Sequence, residues 1–138
     1  MSSVTILAYF ASVPSFLVYF SAAILLLGVF LVFYTWITPH DELALIRGGN
    51  TTAAVTLGGA IIGFALPLAA VITNSLNITD MGIWGMIALV VQVLLYLVLR
   101  VVFPYFSKMI TEDKLGVGVF SASLSIAVGL LNAACMTE

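Results

Sequence analysis

Four long stretches of this sequence are apolar and contain no Asp, Glu, Lys or Arg, and this feature limits the possible folds more than any other. At about 1.5 Å rise per residue, each stretch is long enough as an α-helix to cross a hydrocarbon core about 30 Å thick. Only 7% of the residues are charged, against about 25% in soluble domains, so this composition cannot form the surface of a water-soluble protein. We predict an all-α polytopic membrane protein whose 138 residues form a single integral membrane domain. The predicted transmembrane helices cover residues 15–35, 52–73, 81–99 and 115–136.

The segment before the first apolar stretch ends at Pro14 and contains no Lys or Arg. A cleaved signal peptide normally has basic residues at its start and a shorter apolar core, so we expect the first stretch to remain in the mature protein. Proline suits the first turn of a helix better than its interior. We therefore predict that residues 1–14 form a short interfacial segment leading into the first membrane helix.

The basic residues predict the orientation of the chain in the membrane. Arg47 lies between the first two apolar stretches, while Arg100, Lys108 and Lys114 lie at or between the facing ends of the last two. Short loops that carry Lys and Arg stay in the cytoplasm. We predict a membrane protein with cytoplasmic elbows at both hairpins, and with both termini and the turn at residues 74–80 on the opposite side of the membrane, which is the periplasmic side in a bacterial inner membrane.

The segment between the first two stretches, ITPHDELALIRGGN at residues 37–50, predicts a short interfacial helix. Thr38 is a candidate N-cap and Pro39 fits the first helical position. We expect Glu42 and Arg47 to face water until the two glycines end the helix.

The segment PYFSKMITEDK, residues 104–114, repeats this plan, with a proline after a membrane helix and then a mixture of apolar and charged residues. Pairing Pro39 with Pro104 indicates two related helical hairpins with similar elbows. We predict a bundle of four transmembrane helices arranged as two such hairpins.

His40, Asp41 and Glu42 are the candidates for a metal or proton-handling site. One imidazole and two adjacent carboxylates are too few ligands for a tetrahedral zinc site within one chain, so we expect a solvated helix cap with no metal and no cofactor. The only thiol, Cys135, lies a bilayer thickness of about 30 Å from His40, which excludes a Cys-His pair. We therefore expect no catalytic residues and no enzyme activity.

Each predicted membrane helix has one face of small or polar residues at helical spacing. These faces allow close helix packing, with Gln92 and Asn132 bonding across helices, or alternatively they line a narrow hydrated path in an oligomer. No Asp, Glu, His or Lys lies at membrane depth and Arg100 is close enough to its helix end to reach the interface, which disfavours a proton-coupled or ion-coupled transporter. In chain order the four faces are Ser21, Gly28 and Thr35; Thr52, Thr56, Gly59, Gly63, Pro67 and Asn74; Gly85, Ala88, Gln92 and Tyr96; and Gly118, Ser121, Ser125, Gly129, Asn132 and Cys135.

Three segments resemble the small bacterial inner-membrane proteins of the family DUF350: ITPHDELALIRGGNTTAAVTLGGAIIGFALPL, WGMIALVVQVLLY and the closing LNAACMTE. The resemblance runs from about Ile37 to the end of the chain. The family usually enters its second hairpin through a step like Asn50 to Ala54, where this sequence has Lys114 to Gly118. The resemblance implies a four-span inner-membrane protein with no transferable reaction or ligand. Relatives tend to be encoded near phage-shock-like peripheral membrane proteins, so the resemblance also implies a link to envelope maintenance.

Three functions follow as hypotheses. The favoured one is a non-enzymatic membrane protein that self-associates or docks a peripheral protein, through elbow contacts at His40, Asp41, Glu42, Arg47, Lys108 and Lys114. The alternative is an oligomeric channel or facilitator for a small solute, lined by Thr56, Gln92, Ser125 and Asn132. An enzyme acting on a lipid or amine headgroup at residues 40–42 is disfavoured. The expected partners are the lipid bilayer, further copies of the chain and a cytoplasmic peripheral protein, with no nucleic acid.

Overall fold

The computed structural model describes residues 3–136, and four of its helices are long and apolar enough to cross a membrane. These four, of 35, 24, 25 and 21 residues, confirm the predicted all-helical membrane fold, and no strand occurs in the described range. Two short helices connect them in pairs, so that each hairpin has a helical elbow. The helices are α1 (Ser3–Ile37), α2 (Glu42–Arg47), α3 (Thr51–Asn74), α4 (Ile78–Val102), α5 (Phe106–Thr111) and α6 (Leu115–Cys135).

Helix α1 runs without a break through Pro14, so residues 3–14 are a continuous part of the first long helix and not a separate segment that ends at the proline. Proline removes one backbone donor, but a helix of strongly apolar residues in a membrane has no water to bond to instead and keeps its other hydrogen bonds. At about 1.5 Å per residue the helix is roughly 50 Å long, which exceeds the hydrocarbon thickness. The N-terminal part of α1 therefore tilts strongly or extends beyond the hydrocarbon core.

The closest packing in the bundle is between α3 and α6. A Cβ atom added at Gly59 would overlap the backbone of Ala122, and one added at Gly129 would overlap the carbonyl group of Gly63. Within the hydrocarbon core, helices gain little hydrophobic energy from packing together, so close backbone approach through small residues supplies the attraction. The glycines are therefore required by the distance between these two helices.

Helix α1 joins the bundle through aromatic rings instead of its small residues. Phe30 and Tyr34 are its only buried residues, and Phe30 stacks on Phe64 of α3 with ring centroids 4.6 Å apart. Ser21 and Gly28 are exposed, and a Cβ atom added at Gly28 would meet nothing within 4 Å. The small-residue face predicted for α1 thus does not pack on the other helices of the same chain, because large rings fill the wider gap between α1 and these helices.

The two elbows end in the same hydrogen-bond pattern. The backbone N–H of Asn50 donates to the carbonyl of Leu45, and that of Lys114 donates to the carbonyl of Met109, both at 2.9 Å. These are the long bonds of the Schellman motif, which needs a left-handed residue just before the donor. Equivalent positions supply it, with φ of 89° at one glycine and 59° at Asp113. This repeated geometry supports the predicted relation between the two hairpins.

One helix cap differs from the sequence prediction. Helix α2 begins at Glu42 and is capped by Asp41, whose side chain accepts from the Ala44 N–H, so Thr38 is not its N-cap. Helix α4 is capped by Asn77. Thr38 is used elsewhere, since its hydroxyl donates back to the carbonyl of Thr35 and closes α1.

The glycine contact between α3 and α6 predicts opposite effects at two adjacent positions. Gly59→Ala places a methyl group against Ala122 and should reduce the free energy of unfolding by about 1–3 kcal/mol. Gly58→Ala places the same methyl group in open space and should be neutral or stabilising by up to about 1 kcal/mol. Unfolding in mixed micelles with increasing sodium dodecyl sulfate, followed by circular dichroism, measures both. Equal effects of the two substitutions would contradict the close α3–α6 contact.

Candidate functional site: the joined elbows

The small and polar faces of α3, α4 and α6 meet inside one chain. Every residue proposed for packing or path lining is buried except Asn132, which is half-buried and has an amide nitrogen without a hydrogen-bond partner. Asn74 and Cys135, at the far ends of two of these faces, are exposed. The buried residues are Thr52, Thr56, Gly59, Gly63, Pro67, Gln92, Ser121, Ser125 and Gly129.

Gln92 connects three of the membrane helices. Its amide nitrogen donates to the carbonyl of Gly63 on α3 at 3.0 Å and to the carbonyl of Ser125 on α6 at 3.2 Å. The side chain is buried, so both donors of the amide group are used between helices. Within one chain, Gln92 therefore closes the α3–α6 contact and does not face a water path.

The hydroxyl groups along this contact bond to their own helices. Thr56 donates to the carbonyl of Thr52, and Ser121 donates to the carbonyl of Val117, each at 2.8 Å. Such back-bonding is the usual way in which a hydroxyl group is satisfied within a helix. The hydroxyl groups of Thr56 and Ser121 are consequently not free to line a solute path inside the protomer.

The elbows are joined by a reciprocal pair of polar side chains. The Asn50 amide donates to the carbonyl of Ile110 at 2.9 Å, which satisfies the end of α5. In return, an Asp113 carboxylate oxygen accepts from the backbone N–H of Thr52 at 2.9 Å and from its hydroxyl at 2.6 Å. Each hairpin thus completes the backbone hydrogen bonds of the other. Lys114, at the position equivalent to Asn50, makes no side-chain cap.

A second connection between the elbows includes a buried acid. His40 Nδ1 shares a hydrogen bond of 2.7 Å with Ser107 Oγ, and His40 Nε2 lies 3.3 Å from Glu42 Oε1. The second contact is within ion-pair distance but lacks hydrogen-bond geometry, since His40 Nε2 and Glu42 Oε2 both remain without hydrogen-bond partners. The prediction that Glu42 faces water is wrong, because this residue is only 3% exposed.

The cap at Asp41 explains the burial of Glu42. With Asp41 as N-cap, Glu42 is the first residue of α2, and side chains of a helix lean toward its N-terminus. The carboxylate is thereby directed at the end of α1 and α4, where its charge acts on Tyr34 and Tyr96. The hydroxyl of Tyr96 is also buried without a partner. In the sequence, only the choice between Thr38 and Asp41 as the N-cap of α2 could have indicated that Glu42 is buried.

The remaining elbow charges are exposed. Arg47, Lys108 and Lys114 lie at the same end of the bundle as Asp41. Lys108 Nζ is 3.8 Å from Glu112 Oε1, with both side chains largely in solvent, and an ion pair of this kind contributes about 0–1 kcal/mol. No group of three potential metal-ligating side chains occurs within residues 3–136. These charges form a surface around the buried His40–Glu42 pair.

The helices and their joined elbows define a four-span integral membrane protein. The chain belongs to the family described as Domain of Unknown Function (DUF350), whose model matches residues 8–136. It is 36% identical over 126 residues to the UPF0719 inner membrane protein YjfL of Escherichia coli (strain K12), covering 91% of this chain and 96% of the relative. It is 28% identical over 118 residues to the UPF0719 transmembrane protein YshE of Bacillus subtilis (strain 168), covering 84% of this chain and 88% of the relative. No solved structure matches the chain.

The Asp113 connection predicts a dependence of stability on acid. The hydroxyl and then the backbone N–H of Thr52 hold the pKa of Asp113 below its ordinary value of 3.8, with a small opposing effect of desolvation. This group therefore stabilises the folded protein fully above that value, and the contribution disappears as the pH falls through the lower pKa of the folded state. Thermal unfolding in a non-ionic detergent should show this loss.

Two variants separate Asp113 from the other carboxyl groups. Asp113→Asn keeps an acceptor oxygen and tolerates the left-handed backbone, and it should remove this part of the acid dependence. Glu112→Gln neutralises the exposed neighbour and should leave the dependence as it is. An unchanged acid profile in Asp113→Asn would show that the Thr52 contact does not stabilise the fold.

Proposed function

We propose that this protein is a non-enzymatic component of the bacterial inner membrane that docks a peripheral protein on its cytoplasmic elbow surface, as part of envelope maintenance. The elbow surface consists of Asp41, Arg47, Lys108, Glu112 and Lys114, all exposed. The observation that carries the proposal is that the two elbows are joined. His40, Asn50 and Asp113 each form a hydrogen bond to a group of the opposite hairpin, which for Asp113 is the backbone N–H of Thr52.

A rigid polar surface favours docking because the binding partner does not have to order it. Elbows that moved independently would lose side-chain and backbone freedom on binding, which reduces affinity. Charges of both signs in fixed positions also set the orientation of a partner and raise its association rate. Below this surface, side chains and backbone fill the space between the membrane helices, which supports a role as a membrane-embedded platform.

The orientation is part of the proposal. All Lys and Arg residues of the chain are on the elbow surface or, for Arg100, in the last turn of α4 next to it. Short loops that carry basic residues remain cytoplasmic, so the chain would have both termini in the periplasm. A cytoplasmic partner then meets the elbows, and the Asn77 turn faces outward.

We also propose that copies of the chain self-associate through α1. Only two of the 35 residues of this helix are buried, and its small residues Ser21 and Gly28 are exposed on one face. Small residues permit close contact with a helix from a second copy. Val32, one turn beyond Gly28, lies on the same face and is 68% exposed.

Photo-crosslinking from single positions in living cells tests both contacts. Benzoylphenylalanine at Arg47 or Lys108 should give one shared adduct with a peripheral protein, whereas the same group at Val32 should give a dimer of the chain. Leu76, exposed at the opposite end of the bundle, is the matched control and should give neither. Because the elbow contact is electrostatic, Lys114→Glu and raised salt should both reduce the elbow adduct. Equal adducts from Leu76 and Lys108, or an elbow adduct insensitive to charge, would contradict docking.

The single cysteine checks the orientation in the same cells. Cys135 is exposed at the end of α6 far from the elbows. A membrane-impermeant maleimide should label it in intact spheroplasts, while Glu112→Cys in a Cys135→Ser background should react only after lysis. The reverse labelling pattern would place the elbows outside and remove the cytoplasmic partner.

A further inference from the structure

The elbow region contains a concentration of unsatisfied polar atoms. Among residues 3–136, four buried side-chain nitrogen or oxygen atoms lack hydrogen-bond partners, and three of them belong to His40, Glu42 and Tyr96. A buried polar group without a partner costs about 1–3 kcal/mol, and more when it is charged. Because a carboxylate oxygen only accepts hydrogen bonds, the unsatisfied oxygen of Glu42 lacks a donor in this cluster.

A pocket next to this cluster has Glu42 as part of its wall. It has a volume of about 350 Å³, and its wall includes two carboxylates, one imidazole and one hydroxyl group but no Lys or Arg. Arg100, the nearest basic group on α4, lies over the ring of Tyr96 at 5.9 Å and is not part of this wall. The pocket therefore selects against anions. Its lining residues are Thr35, Pro39, His40, Asp41, Glu42 and Leu43.

The shape and composition of the pocket fit an ammonium group with a hydrocarbon stem. A carboxylate oxygen can only accept hydrogen bonds, and an ammonium group offers three donors. Pro39 and Leu43 provide apolar contact for a stem. A metal ion is poorly matched, since the described residues contain no cluster of three ligating side chains.

We propose that this pocket binds a primary ammonium group, with Glu42 as its counterion and Asp41 at its entrance. The proposal does not depend on the docking function. The pocket lies just after α1 ends at Ile37, at the depth of the lipid headgroups. The ammonium group can come from a phosphatidylethanolamine headgroup in the membrane or from a free amine in the aqueous phase. Binding measurements with the lipid and with a free amine, made separately, distinguish the two sources.

Native mass spectrometry of the detergent-purified protein tests the lipid source. Phosphatidylethanolamine should be retained over phosphatidylcholine, which carries no N–H donor, and over phosphatidylglycerol, which carries no amine. Glu42→Gln keeps the shape of the side chain but removes the charge, and it should lower retention of phosphatidylethanolamine roughly tenfold or more, as expected for a charged hydrogen bond. Glu112→Gln, the matched change at an exposed carboxylate, should retain the lipid like the unmodified chain.

Ethylammonium chloride tests the free amine in protein freed of phosphatidylethanolamine. It should raise the thermal unfolding midpoint above that in tetramethylammonium chloride at equal ionic strength, and this difference should disappear in Glu42→Gln. Leu43→Trp is the second variant, because it fills the pocket from a half-exposed position and leaves the buried acid unchanged. It should abolish whichever preference the unmodified chain shows.

Each outcome is decisive for the site. Lipid retention that is lost in both pocket variants supports the headgroup as ligand, and an ethylammonium effect without lipid retention supports a free amine. If neither probe distinguishes the unmodified chain from Glu42→Gln, or if Leu43→Trp keeps the full preference, the ammonium site is overturned and water satisfies Glu42.

Discussion

The backbone contact between α3 and α6 is the constraint on which the rest of this structure depends. Gly59, Gly63 and Gly129 bring the two helices so close that a single added methyl group would overlap backbone or Cβ atoms. This proximity also places the carbonyls of Gly63 and Ser125 within reach of one amide, that of Gln92. The two hairpins are thereby joined near the middle of the membrane, where neither water nor the hydrophobic effect would hold them together.

The elbows repeat this mutual dependence at the membrane surface. Asn50 and Asp113 satisfy backbone groups of the opposite hairpin, so neither elbow has all of its hydrogen bonds when the other is displaced. Fixing the elbows also fixes the position of Glu42, whose burial would be unfavourable without neighbouring donors. The result is an outer surface of exposed charges around one buried carboxylate, and the docking and ammonium proposals use these two parts separately.

The sequence predicted the features that depend on long stretches of residues. Four apolar stretches without charge specify four membrane helices, because no other arrangement satisfies their backbone in lipid. The faces of α3, α4 and α6 were also predictable, since Gly59, Gln92 and Ser125 recur at helical spacing. The small residues of α1 did not identify the face that packs within the chain, because Phe30 and Tyr34 pack by ring area, which spacing alone does not reveal.

The features that could not be predicted from the sequence depend on small differences in free energy. Thr38 and Asp41 are both good capping residues whose contributions differ by less than about 1 kcal/mol, so local sequence does not choose between them. Choosing Asp41 moves the start of α2 and changes Glu42 from a solvated to a buried residue. Pro14 is a similar case, because the membrane environment and not the residue itself decides whether the helix continues. The candidate site was therefore visible only after the helix boundaries were known.

Disulfide formation between α3 and α6 tests the central contact most directly. A Cβ atom at Gly118 would lie 3.1 Å from Oγ1 of Thr56, so cysteines at positions 118 and 56 would be close enough to react. In native membranes and a Cys135→Ser background, mild oxidation of the pair Thr56→Cys and Gly118→Cys should give a disulfide within one chain. The pair Gly58→Cys and Gly116→Cys, at open positions, should remain reduced. A disulfide that links only separate copies, or none at all, would contradict a bundle closed within the single chain.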